Sequence, residues 1–189
     1  LTLEHASSPR YHDPYTYTQD DWRRYLYAYY RLVERVDREV GRIVGVLKAR
    51  GLYDASAIIF LSDPGDGVAA HGWNQKWNLQ EEVVNVPLIV KAPEGAGLRG
   101  VRNDEALSNV GRDLYATVCD YAGVAPDPGR YRGRSLRPVA EGRQTTLHDE
   151  VFVETLLPGP GMRGWCVVGP RYKYVLYQWG RNREALYDL

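Results

Sequence analysis

The sequence has 189 residues, 44% hydrophobic and 25% charged, which is enough to bury a core in one domain or in one domain with a small appendage. Its 24 basic residues balance its 24 acidic residues, so it lacks the positive field that attracts nucleic acid or anionic membranes. No apolar stretch approaches the roughly 20 residues of a transmembrane helix. We therefore predict neither a nucleic-acid partner nor a membrane partner.

The first predicted element is a long amphipathic helix. Residues 1 to 17 are polar and contain two prolines, which predicts an irregular lead-in. Thr18 is followed three residues later by Asp21, a pairing close to a capping box at a helix start. From Trp22 to Leu47 the apolar residues recur at steps of three and four, and Gly51 then stops the pattern.

Two strands and a second helix are predicted next. Residues 57–61 and 86–90 are short apolar runs rich in β-branched side chains, which are typical of strands covered on both faces. Ser108 is the predicted N-cap of a helix that ends at Gly123. This succession of helix, strand, strand and helix indicates an α/β layer over residues 18–124.

The character of the chain changes after residue 124. Residues 125–145 are rich in proline, glycine and arginine, and predict a linker. Within 146–189, the segments 151–155, 165–168 and 172–177 are strand-like, with a turn at 169–171. We therefore predict a small antiparallel β subdomain at the C-terminal end.

The two cysteines, Cys119 and Cys166, match neither a disulfide framework nor a zinc motif. Both lie in apolar runs, so we interpret them as buried free thiols.

Candidate functional residues follow the first strand. In open α/β sheets, ligands collect at the carboxyl ends of strands, where Asp63 and then Asp66 occur. Their carboxylates suit a hard cation such as Ca²⁺ or Mg²⁺, although Asp63 could instead cap its own loop as an Asx turn. Lys76 could neutralise charge on a sulfuryl or phosphoryl group, and His71 could donate a proton or hydrogen bond to it. Surface or structural roles are the alternative for both residues.

A series of short motifs resembles the sulfatase family from Tyr17 to the end of the sequence. In chain order they are Tyr29-Tyr30, Val36-Asp37, Val40-Gly41, Phe60-Leu61-Ser62-Asp63, His71-Gly72, Lys76, Val86-Pro87-Leu88-Ile89-Val90, Asp113-Leu114-Tyr115-Ala116-Thr117, Ala122-Gly123-Val124, Gly133-Arg134-Ser135-Leu136, Arg171-Tyr172-Lys173-Tyr174 and Leu186-Tyr187-Asp188-Leu189. The resemblance implies an alkaline-phosphatase-like α/β sheet layer flanked by helices, with a small C-terminal antiparallel β subdomain.

The resemblance also implies a chemistry. Sulfatases cleave sulfate esters with a formylglycine nucleophile and a bound Ca²⁺. By position, Asp63 matches a metal-ligating aspartate, Lys76 a catalytic lysine that contacts the sulfate, and His71 a histidine at the mouth of the substrate pocket. The residue after the aspartate is normally Asn or His, a further metal ligand, but here it is Pro64, which offers no side-chain donor.

The formylglycine precursor lies in a Cys/Ser-x-Pro/Ala-x-Arg motif, which this sequence does not contain. Met162 is the only methionine. We therefore expect the C-terminal portion of a longer hydrolase, acting on small-molecule or carbohydrate sulfate esters, with the nucleophile in a missing N-terminal half.

Two further expectations and two alternatives follow. The 189 residues alone should be inactive, and their uncovered strands could make them oligomeric. The first alternative is a phosphodiesterase or phosphonate monoester hydrolase of the same superfamily. The second, favoured by Pro64, is a non-catalytic fragment or pseudoenzyme that binds a sugar or a partner.

Overall fold

The computed structural model describes residues 16–127, 129–156 and 163–189. Most of the predicted lead-in, residues 1 to 17, lies outside this described part. The first helix, α1, spans Gln19–Ala49. The Thr18 hydroxyl accepts the Asp21 N–H at 3.2 Å while the Asp21 carboxylate accepts the Thr18 N–H at 2.9 Å. These reciprocal bonds confirm the predicted capping box.

Helix α1 leaves part of its apolar face uncovered by the described residues. None of its residues is buried among the described residues, and Ile43 on its apolar side is 63% exposed. Neither α1 nor any other helix of the described ranges is both long and apolar enough to cross a membrane. A stable helix of this length normally packs its apolar face on another element. The part of the face that carries Val36 and Ile43 is therefore left exposed by the residues that the structure describes.

Strands β1 (Ile58–Leu61) and β2 (Leu88–Lys91) form an antiparallel pair. Phe60 and Ile89 are cross-strand partners, 37% and 61% exposed. The described residues therefore do not cover both faces of this strand pair, and the prediction that both faces are covered would require neighbours from outside them. The connection between the strands contains a 3₁₀ turn, Ala70–Gly72, and the short helix α2, Glu81–Val84.

Helix α3 spans Val110–Ala122 and ends, as predicted, at Gly123 in the left-handed conformation. Its N-cap is Asn109, so the prediction of a Ser108 cap is wrong. The Ser108 hydroxyl and the Asn109 N–H both donate to the carboxylate of Asp113, at 3.1 and 2.7 Å. The acidic side chain within the first turn thus fixes the two residues that precede the helix, while no side chain of the described residues caps the first-turn N–H groups.

The proline- and glycine-rich stretch after α3 folds back onto that helix. Gly133 passes so close to α3 that an added Cβ would lie 1.9 Å from the Arg112 carbonyl oxygen. The buried Leu136 N–H donates to the Thr117 hydroxyl at 2.9 Å, and helix α4, Arg137–Ala140, follows. The domain boundaries at 125 and 145 stay predictions.

The C-terminal residues form a four-stranded antiparallel meander in the order β3-β4-β5-β6. Its strands are β3 (Val151–Leu156), β4 (Arg163–Val168), β5 (Tyr172–Tyr177) and β6 (Glu184–Asp188). The first three were predicted and β6 was not. The buried core on this sheet contains Leu79, Cys166, Val175 and Tyr177. Both Cys119 and Cys166 are buried free thiols, as predicted.

Candidate active site

The loop after β1 is held against α2 immediately beyond Pro64. The Ser62 hydroxyl donates to the Pro64 carbonyl at 2.6 Å, and the Gly65 N–H donates to the Val83 carbonyl at 2.7 Å. A Cβ on Gly65 would lie 1.9 Å from the Glu82 carbonyl oxygen, so only glycine fits there. The backbone that presents Asp63 and Pro64 is therefore fixed by contacts on its downstream side.

Asp63 and Lys76 open onto the same cleft. Both side chains are exposed, and both line a cleft of about 1730 Å³ together with Pro64. Neither forms a hydrogen bond or ion pair with another residue of the described ranges. The two groups that the sequence singles out are thus a carboxylate and an ammonium, both available to a ligand in one cleft.

Asp66 is engaged elsewhere. Its Oδ1 accepts the Tyr25 hydroxyl at 2.7 Å and the Val68 N–H at 2.9 Å. Burial raises the pKa of Tyr25, and the bond to Asp66 raises that pKa further. Burial and the charge of Asp66 likewise raise the pKa of Tyr29. Asp66 therefore fastens the loop to α1 and is a poor replacement for a ligand lost at position 64.

His71 lies beside a different pocket. Its backbone has a φ of 55°, and its Nε2 lies 3.6 Å from a carboxylate oxygen of the partly exposed Glu82. His71 lines a second, smaller pocket with Trp73 and Trp179 rather than the cleft of Asp63 and Lys76. Two of the three predicted site residues therefore line one extended cleft, and the third lines a separate pocket.

The described residues fit a metal ion only as contributors of one ligand. No cluster of three or more His, Cys, Asp or Glu side chains in the described ranges could hold a metal. Ca²⁺ takes six to eight oxygen ligands, and Pro64 adds none. The unpaired Asp63 carboxylate suits a hard cation. Further ligands would have to come from residues beyond those described.

Three contacts fasten the segment after Lys76 to the C-terminal sheet. The Thr155 hydroxyl donates to the Trp77 carbonyl at 2.6 Å, and the Leu79 N–H donates to the Tyr177 hydroxyl at 2.8 Å. Burial raises the pKa of Tyr177 to about 12, so this hydroxyl stays neutral at ordinary pH. The third contact is an ion pair between Lys173 Nζ and Glu81 Oε2 at 2.8 Å. The sheet thus determines where the Lys76 segment lies.

Sequence reasoning missed these anchors. Thr155, Lys173 and Tyr177 lie 78 to 98 residues from the groups that they contact. The one local signal was Lys173, a charged residue within a strand-like run of aromatic and aliphatic residues.

A second network is centred on Asp113, which does not line the cleft itself. The fully buried Asp113 is contacted by His148 Nε2 at 2.9 Å and accepts the Arg134 N–H at 2.9 Å. Together with the bonds from Ser108 and Asn109, these contacts saturate the carboxylate and join α3 to the chain on both sides of α4. The network is structural, because it leaves no lone pair for a ligand.

Two family profiles match the chain. A profile described as Sulfatase matches residues 4–124, and one described as N-sulphoglucosamine sulphohydrolase, C-terminal, matches residues 69–189. Two proteins of Bacteroides thetaiotaomicron are among the similar curated sequences. A Δ4,5-hexuronate-2-O-sulfatase is 31% identical over 92% of this chain and 36% of its own length. An N-acetylglucosamine-6-O-sulfatase is 33% identical over 68% of this chain and 22% of its own length.

Solved structures agree with these matches. A 2-O GAG sulfatase superposes with a TM-score of 0.82 at 30% identity, covering 91% of this chain and 37% of that one. A structure in complex with its substrate D-glucosamine-2-N,6-O-disulfate gives 0.70 at 26% identity, with 82% and 32% covered. The phosphonate monoester hydrolase of Agrobacterium radiobacter gives 0.76 at 26% identity, with 92% and 36% covered. The predicted α/β fold with a C-terminal antiparallel sheet is therefore confirmed. The chain spans about a third, or less, of the length of these relatives.

Proposed function

Because this chain belongs to the sulfatase family, we propose that the protein containing it hydrolyses sulfate esters of carbohydrates. The substrate class is supported by two relatives named for sulfated hexuronate and N-acetylglucosamine, and by a similar structure with a glucosamine disulfate. The ammonium group of Lys76 would form a charge-assisted hydrogen bond with the sulfate of such a sugar.

The observation that carries the proposal is the joint placement of Asp63 and Lys76, each without a partner among the described residues, on one cleft. Lys76 would contact the sulfuryl oxygens and stabilise the negative charge that grows on them as the ester bond breaks. The sheet contacts at Trp77, Leu79 and Glu81 would hold this lysine segment in place without the substrate's help.

Asp63 would supply one carboxylate to a Ca²⁺ ion, with Mg²⁺ as the alternative cation. Such an ion, when bound, neutralises charge on sulfate oxygens as a Lewis acid. The formylglycine nucleophile typical of the family would come from outside these 189 residues, since they contain no precursor motif. His71, placed beside the cleft, would contact the alcohol part of the ester and not the sulfate.

Sulfate release tests this proposal. The protein that contains this chain, produced with formylglycine conversion, should release sulfate from glucosamine 6-sulfate or a 2-sulfated hexuronate in the presence of Ca²⁺. Lys76→Ala should abolish most of this release. The control is Lys48→Ala, on the last turn of α1, which removes a cation outside the cleft. Equal sulfate release by wild type and Lys76→Ala would refute the role of Lys76.

A phosphonate monoester hydrolase is the second candidate, because one with a TM-score of 0.76 covers 92% of this chain. An anionic phosphoryl oxygen would meet the same lysine and the same carboxylate-bound cation. Hydrolysis of a phosphonate monoester such as phenyl phenylphosphonate, releasing phenol with a higher kcat/KM than any sulfate ester, would establish this candidate. Absence of both activities, with a sugar still bound, would indicate a pseudoenzyme, for which Pro64 is the motivating residue.

A further inference from the structure

A small aromatic pocket lies next to the cleft, on the other side of the segment that follows Lys76. It has a volume of about 260 Å³ and is bounded by Trp73, Tyr177 and Trp179, with His71, Asn182 and Arg183 adding polar groups. Asn78 and Leu79 border both this pocket and the cleft of Asp63 and Lys76. The pocket and the cleft therefore share a wall formed by these two buried residues.

The walls of the pocket contain packed aromatic rings and two buried hydrogen-bond donors without a partner among the described residues. The rings of Tyr177 and Trp179 meet edge to face, with an interplanar angle of 62° and centroids 4.8 Å apart, and the Tyr177 hydroxyl accepts the Leu79 N–H. The indole N–H groups of Trp73 and Trp179 are buried with no hydrogen-bond partner among the described residues. Buried donors without a partner need an explanation, and an unseen acceptor is the ordinary one.

The chemistry of the walls favours one class of ligand. Aromatic faces offer flat apolar surface to the C–H face of a sugar ring, and the surrounding polar groups suit its hydroxyls. The volume lies just below the range of sites for drug-sized ligands, so it fits a single ring. Arg183 forms no ion pair in the described ranges, and its planar guanidinium matches a carboxylate or sulfate in a bidentate manner. Glu184, the acidic residue of the pocket, already shares a hydrogen bond with Tyr174, a bond that raises the pKa of that tyrosine.

We propose that this pocket binds one sugar ring that carries an anionic substituent, with the ring against Trp179 and the substituent on Arg183. The inference rests on the proposed function, since the ring would belong to the sulfated carbohydrate whose ester group occupies the neighbouring cleft. It adds the binding site that would select the sugar.

Binding of sugars that cannot be desulfated tests the pocket separately from hydrolysis. Glucuronate and glucose are titrated into the protein that contains this chain, with calorimetry or saturation-transfer NMR as the readout. Glucuronate should bind more tightly than glucose. Arg183→Ala should weaken glucuronate about tenfold, as expected for loss of a charge-assisted hydrogen bond, and leave glucose unchanged. Trp179→Ala should lower the binding affinity for both sugars. Trp179→Phe, which keeps an aromatic ring, should bind both sugars with most of the wild-type affinity.

The matched control is Arg181→Ala, an exposed arginine of the same β5–β6 turn that does not line the pocket. It should bind both sugars like wild type. Equal effects of Arg181→Ala and Arg183→Ala, or no binding of glucuronate by wild type, would overturn the proposal. Sulfate release is measured separately. Sugar binding without sulfate release would refute the proposed function but not the pocket. Sulfate release with an unaltered KM in the Trp179→Ala and Arg183→Ala variants would refute the pocket but not the proposed function.

Discussion

Lys173 on β5 and Glu81 on α2 form an ion pair in which one partner is buried and the other is not. The Nζ–Oε2 distance is 2.8 Å, and the exposed fractions of the side chains are 2% for Lys173 and 44% for Glu81. The ammonium group depends on this carboxylate for its compensation, whereas the carboxylate has access to water. The two halves of the pair should therefore respond unequally to mutation.

We expect Glu81→Leu to lower the free energy of unfolding by about 3 kcal/mol, because it leaves a buried ammonium without its charge partner. Lys173→Met should lower the free energy of unfolding by less, because the unpaired Glu81 is solvated and the methionine side chain fills the space of the lysine. The double variant should be more stable than Glu81→Leu alone. Chemical denaturation of the four proteins measures this, and a double variant at least as unstable as the sum of the two single variants would contradict it.

Tyr177→Phe tests whether the sheet positions the Lys76 segment. The change removes one oxygen and leaves the buried Leu79 N–H unpaired, at a cost of about 1–3 kcal/mol. Because the released segment carries Lys76, kcat for sulfate release should fall more than KM rises. Tyr172→Phe, an exposed tyrosine on the same strand, is the control and should leave both constants unchanged. A stability loss with unaltered kcat would reduce Tyr177 to a purely structural role.

The parts of the fold that sequence predicted are those encoded locally. The capping box of Thr18, the spacing of apolar residues along α1 and the left-handed Gly123 each depend on residues within a few positions of one another. Strand β6 escaped prediction because its residues are mostly exposed and it exists through pairing with β5, as in the register of Tyr174 with Leu186.

The candidate site, like the fold, could be predicted from the sequence only in part. Asp63 and Lys76 could be named from their place after an apolar strand and from a family resemblance, and both occur on one cleft. Arg183 and Trp179 could not, since the sequence shows no relation between the β5–β6 turn and the loop of His71. Contacts of that range follow from how the sheet packs, and a single sequence does not encode them in any periodic pattern.

A pH-dependent contact joins α4 to α3. Arg137 Nη1 donates to Asp120 at 3.1 Å, and its Nε donates to Glu141 at 2.8 Å. Hydrogen bonds from Ser135 and then Arg137 lower the pKa of Asp120, and the bond from Arg137 is the first cause of the lowered pKa of Glu141. Carboxyl groups whose folded pKa is lowered stabilise the fold above their ordinary values of 3.8 and 4.5.

Arg137→Gln should therefore reduce stability at pH 7, and the difference from wild type should shrink as the pH falls below about 4.5 and the carboxylates take up protons. Thermal melts between pH 7 and pH 3 measure it. Arg102→Gln is the control, because its exposed pair with Asp104 lies within one loop and joins no elements. A difference that stays constant over this pH range would show that the contact of Arg137 with the Asp120 carbonyl dominates.

The uncovered face of α1 predicts self-association of these 189 residues on their own. Val36 and Ile43 are 52% and 63% exposed on that helix, and such apolar surface promotes association. Light scattering after size exclusion should give a mass above one chain. Val36→Glu with Ile43→Glu should reduce that mass, whereas Arg38→Glu on the charged side should not. A monodisperse monomer with a sharp cooperative melt would contradict this prediction.

Pro64 offers the most direct test of the proposed metal site. It lines the cleft next to Asp63, and the backbone beyond it is fixed by the Gly65 contact with Val83. Pro64→Asn or Pro64→His would add one oxygen or nitrogen ligand beside Asp63. Since changes among residues that merely orient ligands alter metal affinity by about 10 to 100-fold, an added ligand should tighten Ca²⁺ binding by at least tenfold.

Lys76→Ala should affect catalysis and not metal binding. Ca²⁺ affinity should hold, because lysine is not a ligand for a hard cation, while kcat should fall by about 10²–10³-fold, as when an oxyanion donor is removed. Calcium titration and steady-state kinetics on wild type and the three variants separate the two effects. Unchanged Ca²⁺ affinity in both position-64 variants would mean that this residue does not face the metal, and Asp63 would then be better interpreted as the cap of its own loop.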